Sequence, residues 1–420
     1  MSSILTNNSA MVALQTLKGI NSGLEKTQSM ISTGKEVGSA KDNAAVWAIS
    51  KVMEADVTGF KAISDSLSLG ESTVALARDA SETVTDLLKD IKSKIVGSQE
   101  ENVDRAKIQT DIEFLTDQIE SVVGAAQFNG LNLLSNQETG GTAIADIVDN
   151  VGSGNVSVLS SLDRAANGTV TASDIGVAKQ DLGVNDQTFG AGTDIAAAAF
   201  AGAGAIADGA SGTLSVAGDT ATAGRGGNAV LAGDSYQIDA FGSLSADVQY
   251  VARDGDTAND IAKALGDRMA FQLAEDGVTD MAVSVSGADI TITNNTGAGL
   301  TSAVTTATGG TAGGGLNLLS QVDVTTEDGA AAALGAIEGL IQNSIDSAAA
   351  FGSSQNRIEI QSNFVGKLMD SMESGIGSLV DADMEETSAR LQALQVQQQL
   401  GIQALSIANQ QPQSILSLFR

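Results

Sequence analysis

The stretch best equipped for chemistry is Asp254-Gly255-Asp256-Thr257-Ala258-Asn259-Asp260, where carboxylate and amide oxygens alternate as in calcium loops. The spacing fits no EF-hand, because the invariant glycine and the closing bidentate glutamate are both misplaced. It reads better as a turn followed by an N-cap at Asp256 or Thr257, opening a helix over 258–269. The glycine run Gly309-Gly310-Thr311-Ala312-Gly313-Gly314-Gly315 could cradle a phosphate. No Lys-Ser or Lys-Thr follows it, so a flexible loop is expected there. The chain has no His and no Cys. It therefore lacks an imidazole base, a thiol nucleophile and the ordinary ligands of zinc or iron-sulfur sites. No catalytic residue, cofactor or metal site is predicted. Trp47, the only tryptophan, reads as an anchor in a core or interface.

Composition narrows the partners. The net charge of −29 opposes any surface that reads phosphate, so neither nucleic acid nor a membrane is an expected partner. No apolar run approaches the ~20 residues needed to cross a bilayer. Met1-Ser2-Ser3-Ile4-Leu5-Thr6-Asn7-Asn8 has neither a basic nor an apolar signal region, so any export is expected to be signal-independent. The absence of Cys suits a chain exported unfolded.

The elements fall into three zones. Up to about residue 135, and again from about 330, helix formers dominate. Residues 140–329 are rich in Gly, Ala, Thr, Ser, Asp and Val, the composition of short strands and turns. Residues 136–326 hold 22 acidic and six basic side chains, which places the acid excess on a solvated middle region. In the first zone Phe60, Leu67, Val74, Leu88 and Ile95 lie on a seven-residue repeat, with Ser81 as its polar member. Ile63, Gly70, Ala77, Val84 and Ile91 form the complementary row, so 57–97 is expected to be one rod with an apolar seam. A second helix, capped over 102–104, carries Ile108, Ile112, Leu115, Ile119 and Val122 and ends before Asn129-Gly130, giving an antiparallel hairpin. Toward the C-terminus Ile337, Phe351, Ile358, Val365, Met372 and Leu379 repeat the pattern. That rod has no partner of its own nearby, so both chain ends are expected to share one bundle. The predicted fold is multi-domain α plus β: a long antiparallel helical bundle or coiled coil from both ends, with a β-rich variable domain inserted in the middle.

The extremities carry sparser stripes, Ala10, Leu14, Leu17, Leu24 and Ile31 at one end and Leu391, Leu394, Ile402 and Leu405 at the other. Helices so poor in large side chains are marginal alone. Residues 1–45 and 385–420 are therefore expected to be disordered in the monomer and to become helical on assembly.

At this point the ends resemble bacterial flagellin, of the alphaproteobacterial type. The resemblance rests on Ile4-Leu5-Thr6-Asn7, Ile31-Ser32-Thr33-Gly34-Lys35, Ser39-Ala40-Lys41-Asp42-Asn43-Ala44-Ala45 and Gln127-Phe128-Asn129-Gly130. At the other end stand Gln355-Asn356-Arg357, Asp381-Ala382-Asp383, Ala408-Asn409-Gln410 and Ile415-Leu416-Ser417-Leu418-Phe419-Arg420. Ala44-Ala45-Val46-Trp47-Ala48-Ile49 is the departure that points to the alphaproteobacterial type.

The resemblance implies a structural subunit, not an enzyme, that polymerises with itself into an extracellular filament. It implies filament-core helices at 1–45 and 385–420, with Ile4 in the first, bundle segments at 46–139 and 330–384, and a variable outer domain at 140–329. It also implies a flagellar export chaperone and type III export apparatus, and contact with filament cap and hook-associated proteins. Lys41 and Asp42 are expected to touch a neighbouring subunit, with an N-cap at Asp42 as the simpler role. Arg357, grouped with them as a subunit contact, is expected to bridge neighbouring helices to an acid, since Gln355 sits in a seam row, with a solvated charge as the simpler role. Where many family members present Leu-x-Arg-x-Arg-Glu-Leu to innate immune receptors of animals, this chain has Leu88-Lys89-Asp90-Ile91-Lys92-Ser93-Lys94. Asp90 and Ser93 replace an arginine and the glutamate, so receptor binding is expected to be poor. The rival readings are a hook-filament junction protein and a secreted adhesin or hydrolase.

Overall fold

The computed structural model describes residues 7–135, 154–164, 169–192, 195, 200–201, 204–216, 230–253 and 255–418. Ile4 and Asp254 lie outside them. The chain divides into two compact units, Met1–Asp65 with Asn363–Arg420, and Ser66–Ser362.

The first unit is built on α1 (Asn8–Thr33), the start of α2 (Ala44–Ser98), the end of α5 (Glu327–Val380) and α6 (Met384–Leu418). Asn7 caps α1 by accepting from the Ala10 amide at 3.1 Å, and Gly34 ends it in the left-handed region at φ 70°. The segment after α1 then docks on the break before α6. Glu36 N donates to Val380 O at 2.7 Å, and Ala382 N to Gly34 O at 2.9 Å. Asp383 restarts the helix by accepting from the Glu385 amide at 2.9 Å.

The second unit holds the rest of the bundle. Leu67, Leu88, Ile91 and Ile95 on α2, and Phe351 and Ile358 on α5, have no exposed surface, and neither has Ile63 in the first unit's part of α2. Within Ser66–Ser362, Arg78 Nη1 donates to Gln355 Oε1 at 2.8 Å, Thr85 Oγ1 meets Ser344 Oγ at 2.9 Å, and Lys92 pairs with Glu338. These three pairs fix α2 and α5 antiparallel in one register. Ser81 and Ser344, the polar members of the two heptad rows, meet there: Ser344 Oγ donates to Ser81 O at 3.1 Å. Ser81 Oγ donates in turn to Ala77 O at 2.8 Å, so neither hydroxyl is buried unpaired.

Helix α3 (Arg105–Ala125) is capped by Asp104 and returns along α2, with Lys94 Nζ 2.5 Å from Asp111. The strands β1 (Gln127–Phe128) and β2 (Leu131–Asn132) follow. Their turn has Asn129 and Gly130 at φ 52° and 82°, the two positive values a tight hairpin needs. Next comes a long antiparallel hairpin, β3 (Asn155–Arg164) with β4 (Val170–Ala178). Its Val158 sits where a Cβ at Gly70 of α2 would be, 2.6 Å from a methyl group. That contact explains a glycine in a seam row.

A neck of two strand-like segments, 181–192 and 308–316, leads to a distal module and back. Thr188 and Thr311 exchange both backbone bonds at 2.9 Å, and Leu316 N donates to Gly183 O at 2.8 Å. Here the structure corrects the expected flexible loop at 309–315. A Cβ on Gly314 or Gly315 would overlap the carbonyl oxygens of Gly183 and Asp181. The glycines let two backbones cross in contact, which is a packing role.

The module has β5 (Phe200–Ala201), β6 (Gly204–Ile206), β7 (Ala210–Val216), β8 (Ser235–Ile238), β9 (Val248–Val251), α4 (Ala258–Glu275), β10 (Met281–Ser286), β11 (Asp289–Asn294), β12 (Leu300–Ser302) and β13 (Val304–Ala307). They form sheets of order β10-β11-β7-β5, β13-β8-β9 and β12-β6. Helix α4 presents Ile261, Leu265, Met269 and Leu273 to their shared core. Its cap is Thr257, whose amide and hydroxyl both donate to Asp260 Oδ2, at 2.9 and 2.6 Å. The strand-like runs 244–251 and 281–293 predict a β-α-β unit around this helix, and the structure differs in detail. The strands before and after it enter different sheets, and the run 281–293 folds as a β10–β11 hairpin.

Candidate assembly interface

Because α1 and α6 are antiparallel, their stripes face each other. Asn7 Nδ2 donates to Ala408 O at 2.7 Å, and Gln398 Nε2 to Asn21 Oδ1 at 2.8 Å. The approach is close at two glycines. A Cβ on Gly23 would lie 3.6 Å from Leu394, and one on Gly401 3.2 Å from Leu17. Leu17, Leu24, Ile31, Leu391, Leu394 and Leu405 are half-buried in this pairing. Asn8–Thr33 and Met384–Leu418 are thus helical within the single chain, in contrast to the expected disorder. Each helix supplies the other's missing apolar partner, which a reading of isolated stripes leaves out.

The pairing covers little of what these helices carry. Leu14 and Ile402 are 46 and 55% exposed, and with them Val12, Val396, Leu400 and Ile407 at 64, 56, 58 and 69%. The last four were not singled out from the sequence. They lie on a second face of each helix, outside the single heptad row of the sequence stripe. Val396, Leu400 and Ile407 do share an i, i+4, i+11 row that carries that signal.

Of the seam residues, Phe60, Val74, Val84 and Val365 are buried with those already named, and Met372 is half-buried. Lys41 and Asp42 are exposed. Asp42 closes the loop by accepting from the Ser39 hydroxyl at 2.9 Å and amide at 3.0 Å, which holds its carboxyl below the usual range. The cap of α2 is Asn43, whose Oδ1 accepts from Val46 N at 3.3 Å, which corrects the assignment to Asp42. Arg357 is exposed and makes no ion pair among the described residues. The inter-helix bond belongs to its neighbour Gln355, which explains an amide in that row. In the divergent patch Lys89 pairs with Asp86 at 2.9 Å and Lys92 with Glu338, while Asp90 and Ser93 are exposed. Among the described residues no group of three or more carboxylates could hold a metal, and no helix is long and apolar enough to cross a membrane.

Two paired terminal helices with an uncovered apolar face suit a chain built to associate. The model of the bacterial flagellin N-terminal helical region matches residues 4–139, and that of the C-terminal helical region matches 334–419. Flagellin A of Rhizobium meliloti is 36% identical over 438 residues, covering all of both chains. The chain belongs to the bacterial flagellin family. A flagellin A of Rhizobium meliloti strain 1021 is 38% identical, again over the full length of both, and flagellin FljM of Caulobacter vibrioides is 27% identical over 99% of its length. The resemblance in the termini thus extends through the middle. As a flagellin of alphaproteobacterial type the chain is a structural subunit of the flagellar filament, and these full-length matches favour that over a hook-associated protein.

Proposed function

We propose that this flagellin polymerises with itself through the faces its terminal helices leave open. The supporting observation is the apolar set at Val12, Leu14, Val396, Leu400, Ile402 and Ile407. So many large apolar side chains left exposed on one pair of helices mark an interaction site. In this reading the α1–α6 pair forms the filament core, the seam of α2, α3 and α5 forms the surrounding tube, and the β-rich module faces the medium. Lys41, Asp42 and Arg357, which form no hydrogen bond or ion pair with another element among the described residues, contribute subunit contacts. Heterologous contacts that do not close into a ring generate an open helix.

Since the pairing buries so little, α1 and α6 are also the segments first to open in dilute monomer, which delays assembly until a filament end captures them. Export is by the type III route with its chaperone, followed by contact with the cap and hook-associated proteins. In the receptor patch Lys89 and Lys92 are already paired to acids of the same chain, and Asp90 adds repulsion toward an acidic partner. Activation of the animal receptor by purified monomer is therefore expected to be weak, and potent activation would overturn that part. Deleting residues 391–420 should leave a folded, soluble bundle that adds to no filament seed. Growth from seeds by the truncated chain would refute the mechanism.

A further inference from the structure

A polar layer crosses the otherwise apolar seam between α2 and α5. Ser81, Thr85 and Ser344 are 0, 6 and 0% exposed. Thr85 Oγ1 and Ser344 Oγ stand 2.9 Å apart, and both lie within reach of Ser81 O, at 2.9 and 3.1 Å. One repeat away in either direction the rows are apolar. The neighbours of Ser81 in its row are Val74 and Leu88, and those of Ser344 are Ile337 and Phe351, all at most 1% exposed. The two rods, 55 and 54 residues long, therefore offer each other nearly the same stripe when displaced by seven residues. Such a shift puts Ser344 against Leu88 or Val74, and Ser81 against Phe351 or Ile337, none of which has a hydrogen-bonding side chain. The polar pairs on the flanks discriminate less. Arg78, which reaches Gln355, also has Asp79 at 2.6 Å and Glu82 at 3.5 Å on its own helix, and Lys92 and Glu338 are exposed.

We propose that the buried hydroxyl layer is a register key, which selects one alignment of α2 with α5 from those that differ by a heptad and gives up stability to do so. A large apolar residue at position 81 or 344 would bury more surface than serine does. What the serines supply is selectivity, because the bonds from Ser344 to Ser81 and Thr85 form in one alignment only. A lone polar position in a coiled-coil seam fixes register in the same way, at a cost in stability. The selection is needed here because the two rods come from opposite sides of the inserted region, so no short connecting loop sets their alignment. The slipped alternatives keep the Leu, Ile and Val contacts in kind, and only the layer tells them apart by chemistry.

The absence of cysteine allows two sites to be spin-labelled without background. Ser72→Cys on α2 and Gln342→Cys on α5 are both exposed and lie on the two rods. A slip of seven residues changes their offset along the helix axes by about 10 Å at 1.5 Å per residue, which pulsed electron resonance resolves. The full-length chain is unfolded in denaturant and refolded by dilution without filament seeds, so the result does not depend on polymerisation. The parent should show one distance. Ser81→Ala, Thr85→Val and Ser344→Ala together keep shape and remove the hydroxyls. This variant should raise the share of distances displaced by that amount by on the order of tenfold, the worth of about one net hydrogen bond, while its denaturation midpoint stays level or rises. Should it fail to fold by circular dichroism, Ser344→Ala alone removes the bonds between the helices and takes its place. A displaced share that is the same with and without the hydroxyls, zero included, would overturn the proposal. So would a fall in midpoint with the single distance retained, since the layer would then be a stabilising contact and not a key.

Discussion

Gly314→Ala tests whether the glycine run is a packed crossing or a loop. The added methyl overlaps the Gly183 carbonyl oxygen, so one backbone must retreat. Neither is free to do so. Gly314 N donates to Asn185 O and Leu316 N to Gly183 O, both at 2.8 Å, and the Thr188–Thr311 pair holds the next step. Losing two such bonds costs about 1–3 kcal/mol at 0.5–1.5 each. Overpacking strain adds about 1–3 kcal/mol more. The sum is a destabilisation of roughly 2–6 kcal/mol, lodged in the second unit. Gly335→Ala is the internal comparison. It has open space in a helix interior and should stabilise by about 0.5–1 kcal/mol from propensity alone. Chemical denaturation followed by circular dichroism reads both, and hydrogen exchange locates the loss to 181–192 and 308–316. If Gly314→Ala melts within about 0.5 kcal/mol of the parent, the threshold of a neutral surface change, the crossing argument fails.

Other outcomes are equally checkable. Leu88→Ala empties a fully buried seam position and should cost about 2–5 kcal/mol in denaturant titrations. Asp104 is held below its usual pKa by the Lys107 ammonium and amide, so its cap is present above the unfolded value and lost as pH falls through the lower, folded one. Asp104→Ala should therefore weaken hydrogen-exchange protection of the first turn of α3 at neutral pH and show no such difference in strong acid. Ile402→Glu, at an exposed site, should leave the monomer's melting unchanged within about 0.5 kcal/mol and still raise the concentration needed for seeded growth by on the order of tenfold.

The bundle was legible because heptad spacing survives without its partner: Leu67, Leu88, Ile91 and Phe351 announce one buried face wherever the other helix comes from. Ser81 and Gln355 looked like defects in those rows until Ser344 and Arg78 appeared opposite them. Capping was legible to within a residue, so Asn43 and not Asp42 took the role at the start of α2. The glycine run was misread because composition cannot tell backbone freedom from backbone contact. That distinction depended on Gly183 and Asp181, more than 120 residues away. The open faces of α1 and α6 were missed for a related reason. Val12 and Ile407 look like ordinary scattered hydrophobics until the pairing shows which side of each helix it leaves uncovered.

The most direct test of the account is electron cryo-microscopy of filaments grown from the purified chain on filament fragments. The account predicts seeded growth with α1 and α6 in the innermost layer, Val12, Val396 and Ile407 packed against neighbouring copies, and the β-rich module outermost. A chain that stays monodisperse at high concentration with seeds present, or a filament whose terminal helices lie outside, would contradict it.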